Sequence, residues 1–124
     1  MDDARAGIRH LLRLAALVAI LLLAFELRAH QLGAQSFWND EGSSYVQATR
    51  AFADIVYHAG RDIHPPGYYG LLALWRGLAG ESETGLRLLS VFASVLTVAF
   101  SAGLARRLSG GVAAWVTALF VALN

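Results

Sequence analysis

Residues 36–50, SFWNDEGSSYVQATR, place two carboxylates, Asp40 and Glu41, directly after Trp38, and residues 62–76, DIHPPGYYGLLALWR, follow with His64 in front of two prolines. A partly desolvated carboxylate is a stronger proton acceptor than one in open water, because burial raises its pKa, provided that a nearby cation or metal keeps it ionised. The chemistry this suggests is base catalysis on a hydroxyl, with Asp40 as the candidate base. The same residues also admit purely structural roles. Asp40 can cap a helix beginning at Glu41, and Glu41 can favour that helix N-terminus through the macrodipole. A histidine ahead of Pro-Pro can serve only as a helix entry.

The rest of the chain says where such a site would sit. Of 124 residues, 56% are hydrophobic and 15% charged, and the mean hydropathy is +0.50; a soluble domain carries roughly 25% charged residues. The apolar residues collect in runs, which suits lipid better than a single soluble core. All ten cations are arginines, which stay charged even in dry surroundings. A net charge of +1 with no dense basic patch argues against a nucleic-acid partner. Cysteine is absent, which excludes disulfides and thiolate metal sites.

Ile8–Leu27 is long enough to span a bilayer as a helix, and Leu88–Ala105, uncharged and closed by Arg106 and Arg107, is the second such run. Val112–Leu123 is too short and stops at Asn124. The expectation is the N-terminal portion of a larger polytopic protein, cut inside its third membrane helix. It is an all-α membrane protein, with a first span at about 8–28, an external loop at 29–84, a second span at 86–107 and the start of a third at 111–124. Arg5, Arg9 and Arg13 before the first span, and Arg106 and Arg107 after the second, put both of those ends in the cytoplasm by the positive-inside rule. The loop that holds the acids then faces outward. A cleaved signal peptide ahead of about residue 30 is the competing expectation for the first run.

The loop also carries Phe37, Trp38, Tyr45, Phe52, Tyr57, Tyr68, Tyr69 and Trp75, rings that settle at the headgroup level of a bilayer. Helical spacing predicts an interfacial helix with Tyr45, Ala48, Phe52 and Ile55 or Val56 on one face, broken near Ala53 and stopped at Gly60. A second helix starts at Pro65 or Pro66, aligns Tyr68, Leu71, Leu72, Trp75 and Ala79, and ends at Gly80. Asp54, His58 and Arg61 fit a solvated face, and Glu26 an interfacial position.

The order of these parts resembles the opening of the GT-C membrane glycosyltransferases, in the bacterial branch that looks like protein O-mannosyltransferases and the aminoarabinose transferase of lipid A. The resemblance covers about residues 10–124. It rests on three features: Asp40-Glu41 after the first span, His64-Pro65-Pro66 in the same loop, and the pattern G-x-S-E-x-x-x-R-L-L-S from Gly80 to Ser90. It implies an inverting transfer of a sugar from a polyprenyl-phosphate donor to an acceptor hydroxyl on a protein, lipid or polysaccharide. Asp40, with Glu41 beside it, matches the family's essential acidic motif and would take the acceptor's proton. His64, Tyr68 and Arg87 would bind substrate, Arg87 facing phosphate or else snorkelling to the lipid interface. The aminoarabinose branch carries a further acid where this chain has Ile63, so the resemblance leaves a divalent cation open. On this basis the segment by itself is inactive, because further phosphate-holding cations come from later loops. The non-enzymatic alternative is a small membrane protein, an assembly subunit or transporter fragment, whose external loop only anchors at lipid.

Overall fold

The computed structural model describes residues 2–30, 32–34, 36–60 and 66–124. These form six helices and no strand: α1 (Asp2–Ala29), α2 (Asn39–Ala48), α3 (Phe52–Ala59), α4 (Pro66–Ala79), α5 (Glu83–Ser109) and α6 (Gly111–Leu123). The chain divides into two compact units, residues 1–30 with 91–124, and residues 31–90. His64 lies outside the described residues.

The first unit holds α1 and α5 from residue 91 onward, and both helices are long and apolar enough to cross a membrane. At 28 and 27 residues they reach about 40 Å against the roughly 30 Å of a hydrocarbon core. Most of their large apolar side chains are exposed, Leu11, Leu12, Leu22 and Phe100 among them, which is the surface that lipid covers at no cost. What this unit buries is small: Ala24, Val98, Ala102, Ala118 and Ala122 make its core. Small residues let helix backbones approach closely, the usual basis of helix association where the solvent is itself apolar. The Phe25 and Phe92 rings stack at 5.9 Å beside them. Gly110, at φ +90°, separates α5 from α6 in a conformation that a residue with a Cβ rarely adopts.

Arg28, in the last turn of α1, secures the end of α6. Its guanidinium donates to the Val121 and Ala122 carbonyls at 2.7 and 2.8 Å, and also to Ser94 Oγ and the Ala24 carbonyl. Last-turn carbonyls have no partner within their own helix, so an arginine fork there satisfies two acceptors at once and complements the negative helix end.

In the second unit, α2 packs on α4, and α3 packs on α4 further along. Pro66 takes the first position of α4, where its missing N–H costs nothing. Gly80, at φ +80°, ends it, its N–H donating to the Arg76 carbonyl at 3.0 Å. The buried stripe of α4 is Tyr69, Leu72 and the half-buried Ala73, packed against Ala48 and Ile55. Spacing puts Tyr68, Leu71, Leu72, Trp75 and Ala79 on one face, and the structure buries only Leu72 of these fully. Tyr68 and Leu71 are exposed instead, in line with Leu74 and Leu78, because α4 carries apolar residues all round and α2 and α3 cover only one side of it.

The helix after the acids breaks at residues 49–51, just before Ala53. Thr49 ends α2, its side chain bonding the Val46 carbonyl at 2.8 Å, and Ala51 turns extended at φ −60°, ψ 147° before α3. The break lets Ile55 sink to 1% exposure against Tyr69 while Phe52 and Val56 stay exposed.

Candidate functional site

The site is built where α2 begins. Trp38 is extended, at φ −68°, ψ 161°, and occupies the N-cap position, so Asp40 is the second helical residue and Glu41 the third. The cap is therefore not Asp40. Glu41 reaches back instead, its Oε2 accepting the Trp38 backbone N–H at 3.1 Å, as the third residue of a capping box does. With that role taken by its neighbour, the Asp40 carboxylate has no hydrogen bond or ion pair among the described residues, and the side chain is exposed on the pocket wall.

Glu41 has a second and stronger partner in Arg87, in the second turn of α5. Arg87 Nε donates to Oε1 at 2.9 Å and Nη2 to Oε2 at 2.7 Å, a two-pronged ion pair. The same guanidinium donates to the Leu32 and Ser36 carbonyls and lies 5.5 Å from the centre of the Phe37 ring. The Arg87 hydrogen bonds hold the Glu41 carboxyl below its ordinary value of 4.5; partial burial opposes this and the Trp38 N–H adds to it. Glu41 is thus a weakened base and a structural anion.

Further contacts fix the surroundings. Tyr45 stacks on Phe37 at 6.1 Å and its hydroxyl donates to Glu81, which also pairs with Arg76 at 2.9 Å. Trp75 Nε1 donates to the Gly85 carbonyl at 2.8 Å, tying α4 to the start of α5. Between these elements lies a pocket of about 170 Å³. Asp40, Glu41, Tyr68 and Arg87 all line it, together with Ser44, Ser90 and the ring of Tyr45.

Four of the five residues singled out in the sequence therefore meet at one pocket, and His64 is the one outside the described residues. Sequence reasoning missed Ser44 and Ser90, although the spacings 40/44 and 87/90 place each on the helix face of a residue already identified. It also missed Glu81, for which nothing local gave a signal. Arg87 is engaged with Glu41 through this ion pair. With both Glu41 oxygens taken, Asp40 is the one acidic donor left on the pocket wall among the described residues. Among the described residues, no group of three His, Asp or Glu could hold a metal ion.

No family model, curated protein or solved structure matches the chain.

Proposed function

We infer that this chain is part of a membrane glycosyltransferase of the GT-C type, in which Asp40 is the base. The observation that carries the reading is the division of labour between the two adjacent acids: Glu41 is neutralised by Arg87, while Asp40 faces the pocket without a partner among the described residues. In the reaction, the acceptor hydroxyl gives its proton to the Asp40 carboxylate as its oxygen bonds the anomeric carbon of the sugar. The bond from that carbon to the donor phosphate breaks on the opposite face, and the polyprenyl phosphate leaves as an anion. Arg87 acts as a positioning residue, holding the start of α2 so that Asp40 keeps its place. Tyr68, exposed on the pocket wall, is placed to pack against a sugar face.

The setting agrees with that chemistry. Residues 31–82 follow α1 and precede α5 along the chain, and α4 exposes Leu71, Leu74 and Leu78, the last at 84%; such a stripe suits a helix lying in the bilayer interface. The substrate that fits is a lipid-borne sugar presented at the extracytoplasmic face of a cell membrane.

The test is Asp40→Asn in the protein as expressed in its host membrane, assayed for transfer from a panel of polyprenyl-phosphate sugars. The change keeps size and removes the basic oxygen, and losing a general base lowers turnover about 10²- to 10⁴-fold. Transfer at the unchanged rate would remove Asp40 from the chemistry. A second reading, a non-enzymatic membrane protein anchored through its external segment, draws on Arg87: among the described residues it is the one cation lining the pocket, and it is already paired. Under that reading Asp40→Asn leaves every phenotype of the protein intact.

A further inference from the structure

The first unit contains a larger cleft, of about 630 Å³, between α1, α5 and α6. Its lining is amphiphilic. His10, Arg13 and Arg106 stand together with the first residues of α6, Gly111 and Val112, while the deeper wall is Leu14, Leu17, Ala102 and Ala118 with Trp115 beside them. Ala102 and Ala118 are buried and form its floor. No Asp or Glu lines the cleft, and neither guanidinium has an ion pair or hydrogen bond among the described residues. The α6 N-terminus adds to the positive charge, since no side chain caps it and its first N–H groups point out of the helix. The space is open: a Cβ added at Gly103 or Gly111 would meet nothing within 4 Å.

We propose that this cleft holds one anionic phospholipid, its phosphate between Arg13 and Arg106 and an acyl chain along the Leu14, Leu17 and Ala118 wall. Charge complementarity and the apolar wall select this occupant together. A free phosphate satisfies the arginines and leaves the apolar wall uncovered, whereas a zwitterionic lipid covers the wall and brings its own cation to the arginines. The arginines also lie on the two runs that the positive-inside rule assigns to the cytoplasmic face, where anionic lipids concentrate. The proposal is independent of any sugar transfer by the second unit.

Trp115 provides the readout. The protein is reconstituted in phosphatidylcholine vesicles that contain a minor fraction of acyl-brominated phosphatidylglycerol or, at equal fraction, acyl-brominated phosphatidylcholine. The anionic lipid is expected to quench tryptophan fluorescence in excess of the zwitterionic one, and Trp115→Phe should abolish that excess. Arg13→Gln and Arg106→Gln should each weaken the apparent lipid affinity about fivefold, the ratio given by the attraction of one arginine for an anionic surface. Arg13→Lys and Arg106→Lys should retain most of it. Arg9→Gln and Arg107→Gln, which do not line the cleft, should leave it unchanged. Equal quenching by the two lipids overturns the proposal, as does an excess that survives Trp115→Phe or falls equally with Arg107→Gln, the sign of a diffuse surface potential. Loss of the excess on adding millimolar inorganic phosphate would assign the arginines to a free anion and reject the lipid.

Discussion

Glu41 and Arg87, 46 residues apart, form a two-pronged ion pair at 2.7 and 2.9 Å that fastens the start of α2 to the start of α5. Arg87 is 15% exposed and Glu41 37%, so the pair is partly shielded and worth more than a free surface bridge. Glu41→Gln and Arg87→Gln should each destabilise the second unit. The double variant should cost less than the sum, since each single change leaves a half-buried partner unmatched. Hydrogen exchange across residues 31–90 in detergent measures this, and strict additivity would mean that the pair contributes nothing jointly.

The pair also sets a pH dependence. Glu41's folded pKa lies below its ordinary 4.5, so the unfolded chain binds the proton more readily. The stabilisation is complete above pH 4.5 and is lost as the pH falls through the lower folded value. Acid titration of the second unit should show weakening that begins below about pH 4.5, and Glu41→Gln should remove that component. A Glu41→Gln protein with an unaltered acid profile would assign the acid sensitivity to other carboxylates.

Gly85→Ala tests the junction of α4 and α5. A Cβ there would lie 2.9 Å from the Ala79 carbonyl oxygen and 2.8 Å from Ser82 Oγ. The serine can rotate away but the backbone must shift, and the shift disturbs the carbonyl that receives the Trp75 indole N–H. The expected loss is about 1–3 kcal/mol, read as faster exchange in residues 66–90. Gly67→Ala, where a Cβ meets open space, is the neutral control.

Arg28→Leu should loosen α6. It removes the donors to the Val121 and Ala122 carbonyls and to Ser94 while keeping an apolar stem. Arg28→Lys should recover less than half of the loss in thermal stability, because one ammonium cannot reproduce the planar fork that reaches both carbonyls. Full rescue by lysine would reduce the contact to simple charge at a helix end.

Reporter fusions check the membrane placement. A reporter joined after Gly60 should register outside the cytoplasm and one after Gly110 inside it. The opposite pair of results would put Asp40 on the wrong side for a lipid-linked sugar donor and would remove the proposed reaction.

Much of the fold was legible because its causes are local. Long apolar runs became α1 and α5, and Pro66 opened α4 and Gly80 closed it. Four of the candidate residues also reached one pocket, since Asp40 and Glu41 open α2, Tyr68 opens α4 and Arg87 opens α5. The face of α4 was not legible: a helix apolar all round has no sequence signal for the side its neighbours will cover. The cap was misassigned for a related reason, as Asp40 is a better cap residue than Trp38 in isolation, and the back-bond from Glu41 outweighs that preference.

Sequence alone determined where the acids are, between two helices long and apolar enough to cross a membrane. Only the tertiary structure decided which of the two is spent. Neighbouring side chains on a helix diverge by roughly 100°, so an arginine 46 residues away can meet Glu41 and leave Asp40 to the pocket. No local pattern encodes that choice, because it depends on how α5 lies against α2.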